Sequence, residues 1–556
     1  MASKTDATSE WAAPGPGTWE RDQSHFNPTV SRLMLDIMED AAPRGVREGF
    51  DRIGAPLDTM DVRFVHGQMY RRLVPIIGAS GKGPSKPPPA WVMKAAFAAV
   101  PKLRKRVKLA TRTLTNKNWQ AEADRWDAEW KPELVAANRR LAGVDVQDLD
   151  DADLGEHIDE LCEHLTDATV LHFRLHISDL GPIGMLLGRA REWGVDDGGV
   201  MAVLAGASPA TSAPRDALRP LAQALVARGG VPNSFEEIRI MGEMERRLLD
   251  DYLIEFGSRL TTGYDLSDAT LAEMPDVILV QLGDASLLKE CTAASNAIDR
   301  GNAALAAVRD QIPVSDLEEF DDLVADARRF YGLRDENGPL TVQWPSGILR
   351  MALLEASRRF IAAGRLANAC HVFDLSATEL VGSLRGEPGP KREAVATRYA
   401  NRMALVELDS PVFLGPEPIE PDLDGLPDAM RQMMQMSVNV FSLLEAAPER
   451  GKLTGTGVGT QKYAGTARVV ADAGEAIERV EPGDVIVTRF TAPTFNAVLA
   501  TAGAVVTEHG GLLCHTAVIA RELGIAAVVG VEGALEIPDG AQVEVDPISG
   551  KVTVLL

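Results

Sequence analysis

The sequence predicts a multidomain chain, with a mainly α-helical N-terminal region followed by a C-terminal α/β domain. Three observations predict it. Apolar residues recur at three- and four-residue intervals through much of the stretch that ends near Leu444. A run rich in Pro, Gly and Thr, "EAAPERGKLTGTGVG", then spans Glu445 to Gly459. Beyond it, short β-branched runs interleave with a helical pattern. We therefore expect a helical region at 1–444, a linker at 445–459 and a compact α/β domain at 460–556.

In chain order, "DLGEHIDELCEHLTDATVLHFRLH" (Asp153 to His176) has the spacing of a helix with one buried face. "LRMALLEASRRFIAAGRL" (Leu349 to Leu366) has it too, with Arg358 and Arg359 interrupting the apolar stripe. "YDLSDATLAEMP" and "VFDLSATELVGSLRG" each place Ser or Asp ahead of a short helical pattern, where an N-cap belongs. "GASGKGPSKPPPA" and "GEPGPKRE" read as loops. After the linker, "GTARVV", "DVIVT", "AVVT", "AAVVGV", "QVEVD" and "KVTVLL" read as strands, with a helix over Ala517 to Leu523.

Composition narrows the function classes. The formal net charge is −23, which disfavours nucleic acid and anionic membrane surfaces. "KLRKRVK" (Lys102 to Lys108) is a local exception, read as a solvated helix face or a docking patch. Cys162, Cys291, Cys370 and Cys514 form no C-x-x-C pair, which fits a reducing compartment and not a cysteine-built zinc site. The N-terminus lacks a signal-peptide core and no stretch of eighteen apolar residues exists, so a cytoplasmic protein is expected.

The chemistry concentrates in "EHGGLLCHTAVIARELGIAAVVG", Glu508 to Gly530. Gly510 and Gly511 permit a sharp turn, and a helix beginning near Cys514 to Thr516 puts His515 at its amino end. Unpaired N–H groups and the helix dipole favour an anion there, by about 0.3–1 kcal/mol per charge. A neutral imidazole can attack phosphorus in that place. On the residues alone three readings stand: a structural histidine, an irregular metal cluster of Glu508, His509 and His515, or a phosphoryl carrier. The i, i+6 spacing of the two histidines is not that of a helical zinc pair.

This stretch resembles the signature of the phosphohistidine swivel domain of phosphoenolpyruvate-utilising enzymes, the family of pyruvate phosphate dikinase, phosphoenolpyruvate synthase and rifampin phosphotransferase. Gly510, Gly511, Cys514, His515, Ala517, Ala520, Arg521, Glu522, Leu523 and Gly524 match it, as do Thr488 and Pro493 upstream. The resemblance implies that His515 is the phosphorylated nucleophile, with Gly510, Gly511, Cys514, Thr516 and Thr488 supporting the phosphate. His509 stands where the family often has Arg, and Leu513 where many members have Thr. The helical part resembles, more loosely, rifampin-phosphotransferase-like proteins. "LLDDYLIEFGSRLTTGYDLS" corresponds to a segment in which those proteins have His where this chain has Ser258.

Those enzymes load the histidine from ATP with an ATP-grasp module, and the pyruvate-using ones add a TIM barrel. Neither is expected in this chain, and "GASGKGPS" has the wrong glycine spacing for a phosphate loop. The resemblance thus implies a phosphotransferase subunit like those of phenylphosphate-synthase-type dikinases. A separate ATP-grasp subunit would bring ATP and Mg2+, and the chain itself would hold no resident metal. The small hydroxylated acceptor, a phenol or hydroxyphenyl ketone, would need an apolar wall and a base or cation near its hydroxyl. Arg259, Arg328, Arg329 and His25 are the leading candidates, with His66, His172, His176 and His371 behind them. His172 and His176, spaced i, i+4, could instead bind a metal. The alternative function is a phosphohistidine carrier that docks a regulatory protein partner.

Overall fold

The computed structural model describes residues 11–22, 26, 29–77, 89–261, 263–283, 285–288, 293–407, 410–418, 423–444, 452–491 and 495–555. His25, Cys291, Pro493, most of the Gly78–Ala90 loop and 445–451 of the expected linker lie outside them. The helical region is organised around one 42-residue helix, Asp151–Glu192. Asp150 starts it by accepting the Asp153 N–H at 2.9 Å. Four long helices pack along its length: Arg32–Ile53, Leu317–Gly338, Trp344–Ala362 and Asp428–Leu444. Close approach needs missing side chains, and a Cβ on Gly184 would lie 2.1 Å from the Met436 carbonyl oxygen. Leu154, Leu161, Leu165, Phe330 and Leu353 fill the core between these helices. Each such burial contributes about 1.5–3 kcal/mol.

The short caps form largely as their sequences suggest. Ser376 accepts the Glu379 N–H ahead of Ala377–Leu384, completing a capping box. In "YDLSDATLAEMP" the capping box belongs instead to Thr270 with Glu273. One feature departs from the helical expectation. Strands β1 (Trp19–Arg21), β2 (Leu57–Val65), β3 (Gln68–Pro75) and β4 (Phe413–Leu414) form an antiparallel sheet in the order β2-β3-β1-β4. Its hairpin turns on His66 and Gly67, both at positive φ, as a two-residue turn of this kind requires. His-Gly is a weaker turn signal than Asn-Gly.

The C-terminal unit is a seven-stranded mixed sheet of order β11-β10-β6-β7-β8-β9-β5. The strands are β5 (Thr456–Val458), β6 (Tyr463–Val469), β7 (Val485–Thr488), β8 (Ala504–Thr507), β9 (Ala526–Val529), β10 (Gln542–Asp546) and β11 (Lys551–Val554). β6, β7, β8 and β9 run parallel. The residues of β7, β8 and β9 are buried on both faces, which is why they read as unbroken apolar runs. Ile486, Val505 and Ala527 meet Ala517 and Ala520 of the helix His515–Leu523. Val485, Val487, Val506 and Val528 face Val543, Val545 and Val552 on the other side. Among the described residues no helix is long and apolar enough to cross a membrane.

Candidate functional site

β7 and β8 lie side by side and both end on threonine, with Thr488 registered against Thr507. The backbones stay joined one step further. Glu508 N–H donates to the Thr488 carbonyl at 3.1 Å, and His509 N–H to the Arg489 carbonyl at 2.9 Å. The chain then turns at Gly510, whose φ of +126° suits glycine. A Cβ there would also lie 2.7 Å from Cys514 Sγ. Cys514 N–H donates to the Gly511 carbonyl at 3.1 Å, and the helix begins at the next residue, His515. The site thus sits at the carboxyl ends of parallel strands, where open α/β sheets place ligands.

The His515 ring is held from one side. Its Nδ1 lies 2.8 Å from Thr491 Oγ1, which lies 2.8 Å from Thr516 Oγ1. Its Nε2 is buried without a hydrogen-bond partner among the described residues. Thr488 Oγ1, at the end of β7, is also buried and unpartnered. Each orphan costs about 1–3 kcal/mol unless a ligand satisfies it. When Nδ1 donates to Thr491 and Thr491 to Thr516, Nε2 presents its lone pair. Burial pushes the imidazole down to about 4, so it is neutral at ordinary pH. The helix ladder opens with Val518 N–H on the Cys514 carbonyl, so the N–H groups of His515, Thr516 and Ala517 precede it. Neutral imidazole, orphan Nε2 and a helix amino end together suit capture of a phosphoryl group.

Around this core the groups are quieter. Burial pushes the Cys514 thiol up, which keeps it protonated and unreactive. His509 stands on the rim with its side chain about half exposed, and burial pushes it below its ordinary value, helped by Arg489 and Arg21. Its Nε2 is 3.9 Å from Glu508, too far for a hydrogen bond. Among the described residues no group of three His, Cys, Asp or Glu side chains could hold a metal ion.

The histidine helix also docks onto the helical region. Leu513 and Val518 join the apolar cluster of Leu187, Val203, Ala327 and Tyr331. Arg521 donates to Tyr331 Oη at 3.1 Å and to the Leu512 carbonyl. Gly206 N–H donates to Glu522 Oε1 at 2.9 Å. Arg300 donates to the carbonyls of Arg521 and Glu522, neutralising the helix's negative end.

The other sequence candidates lie apart from His515. Arg259 stacks 4.4 Å from the Phe256 ring and 5.3 Å from Trp344, and its Nε donates to the Glu255 carbonyl. Burial pulls it down to about 10. Arg328 donates to the Val203 carbonyl at 2.9 Å, beside the docked Gly206 loop. Arg329 is neutralised by Asp124 and Asp127 at 2.7 and 3.0 Å. His66 sits in the hairpin turn, 4.8 Å from the Trp11 ring, and His371 is buried against Tyr399. His172 is buried with Nδ1 3.1 Å from Thr341 Oγ1. His176 is partly exposed and paired with Asp179. Thr491, not singled out in the sequence, holds the nucleophile. Its only signal is its place in the "RFTAPTFN" loop that follows β7.

The family model for the PEP-utilising enzyme mobile domain matches residues 480–550. A rifampicin phosphotransferase of a Streptomyces species is 31% identical over 324 residues, covering 56% of this chain and 35% of its own length. Phosphoenolpyruvate synthase of Escherichia coli is 44% identical over 104 residues, 18% of this chain and 13% of its own. Chondramide synthase cmdD of Chondromyces crocatus is 24% identical over 574 residues, 97% of this chain and 14% of its own. The chain spans little more than a third of the length of the rifampicin phosphotransferases it is compared with, 35% and 38% in two Streptomyces relatives. The matched segment is the one that builds the His515 site, and over residues 480–550 the chain is similar to the mobile domain of PEP-utilising enzymes.

Proposed function

We propose that this chain is a phosphotransferase subunit that carries a phosphoryl group on His515. A separate ATP-grasp subunit, with ATP and Mg2+, loads it, and the helical region binds a small hydroxylated aromatic acceptor. The observation that carries the reading is the His515 ring itself. Its Nδ1 is engaged by Thr491, while its Nε2 is buried, without a partner among the described residues, and at a helix amino end. The likeness to rifampicin phosphotransferases, which extends well beyond the mobile domain, supports a phosphotransferase with a small-molecule acceptor.

Capture proceeds by attack of the Nε2 lone pair on phosphorus as the bond from phosphorus to the donor's oxygen breaks and its electron pair leaves on that oxygen, with Nδ1–H held by Thr491 and the helix amino end facing the phosphoryl oxygens. Release reverses the geometry toward the acceptor hydroxyl. The test is mass spectrometry under non-acidic conditions after incubation with ATP, magnesium and extract of the native host. Phosphate mapped to His515, and absent without extract, is the expected result. An unmodified His515 in extract that retains its ATP-grasp protein overturns the reading.

A further inference from the structure

The turn of the long helix just before Pro182 carries a second histidine in an ordered setting. His176 Nδ1 lies 2.8 Å from Asp179 Oδ2, and Arg334 donates to Asp179 Oδ1 at 3.2 Å. Asp179 is fully buried, while the His176 side chain is 26% exposed. The carboxylate thus fixes one ring nitrogen, and Nε2 has no hydrogen bond among the described residues. Arg334 spends one nitrogen on Asp179 and is itself 18% exposed. Beside this pair runs a series of rings. His172 is 4.7 Å from His176, Tyr264 is 5.8 Å from His172, and Phe26 is 6.2 Å from Tyr264.

The pair connects to the His515 loop through neighbours on the helix Leu317–Gly338. Tyr331 stands one turn before Arg334 and receives the hydrogen bond of Arg521. The other end of Arg521 holds the Leu512 carbonyl, three residues before His515. Leu180, next to Asp179, packs in the same apolar cluster as Leu512 and Leu513. A base oriented by a buried carboxylate and a cation is therefore joined by contacts to the docked loop that carries the nucleophile, and an aromatic series runs from that base.

We propose that His176 is the general base for the acceptor hydroxyl, with Asp179 its positioning residue and the Tyr264–Phe26 wall seating a phenolic ring. This rests on His515 being a phosphoryl carrier. In the transfer, the acceptor oxygen bonds to phosphorus as the bond from phosphorus to His515 Nε2 breaks. The electron pair of that bond returns to Nε2, leaving neutral imidazole with its hydrogen on Nδ1. The hydroxyl proton passes to His176 Nε2, and the imidazolium is held by the Asp179 carboxylate.

The test loads His515 in the full chain with ATP, magnesium and host extract, then measures transfer at pH 8 to two probes. Phenol keeps its proton there, whereas 4-nitrophenol has already lost it. His176→Gln is expected to load normally, to slow transfer to phenol by about 100-fold or more, and to leave transfer to 4-nitrophenol nearly unchanged. Equal slowing with both probes makes His176 merely structural and overturns the assignment, as does unslowed transfer to phenol. Transfer from loaded wild type to neither probe overturns the phenolic acceptor and the base with it. Failure of wild-type His515 to load is a different result, which removes the carrier reading itself.

Discussion

Thr491 Oγ1 stands 2.8 Å from His515 Nδ1 and relays that contact to Thr516. The hydroxyl fixes the ring plane and favours the hydrogen on Nδ1. Removing it should slow loading of His515. A lost hydrogen bond worth about 1.4 kcal/mol corresponds to about tenfold, so we expect Thr491→Val to load about ten times more slowly and Thr491→Ser close to wild type. Phosphohistidine quantified against time checks this, and equal rates for all three proteins would remove Thr491 from the mechanism.

His515→Ala should abolish phosphate capture without unfolding the chain, because only one of its ring nitrogens is hydrogen-bonded among the described residues. Circular dichroism with intact-mass analysis separates the two effects. Retained capture in the folded variant counts against the site.

The pH dependence follows from the direction of the His515 shift. Its folded value, about 4, lies below the ordinary histidine value, because burial disfavours the cation. The unfolded chain therefore takes up this proton first as pH falls. Stability is unaffected above the ordinary value and is lost as pH drops from there toward about 4. Denaturant titrations of wild type and His515→Gln should show wild type losing more stability across that window. Parallel curves would mean that the imidazole protonates freely in the fold.

Gly510→Ala combines a strained φ of +126° with a contact at 2.7 Å to Cys514 Sγ. The strain alone costs about 1–3 kcal/mol. Adding Cys514→Ala should relieve the contact but not the strain, so the double variant recovers little. Full recovery, measured by urea midpoint, would locate the whole effect in the thiol.

Tyr331→Phe removes the hydrogen bond from Arg521, and Arg300→Ala removes the cap on the carboxyl end of the histidine helix. Each should raise hydrogen exchange in His515–Leu523 several-fold, up to about tenfold, while β7 and β8 stay protected. Unchanged protection in both variants would show that apolar contact alone holds the dock.

How much of this was legible in the sequence depended on how local the signal was. The Gly-Gly turn, His515 and the helix that follows are contiguous, so motif and structure coincide there. The parallel strands also read clearly, since burial on both faces removes polar residues from them. Thr491 reaches His515 across 24 residues of sequence only because β7 and β8 are neighbours, and pairing of that kind is not local. Along the helix Leu317–Gly338 the sequence offered Arg328 and Arg329, but one binds a backbone carbonyl and the other two aspartates. Arg334 on the same helix is the one that meets Asp179. The β2–β3 hairpin escaped notice because it turns on His66, a residue that adopts positive φ only under constraint.

The nine-residue helix from His515 to Leu523 is gripped at one end by Arg300 and Gly206 and aimed from the other. At a rise of about 1.5 Å per residue it is a short, stiff rod. A tilt imposed at its rear is therefore delivered at its tip as a sideways displacement of the imidazole. Anchorage and marksmanship share one lever. A substitution in the seam around Arg300 would register at phosphorus without coming near it, and a binding event that closes the seam would bring the nucleophile to bear.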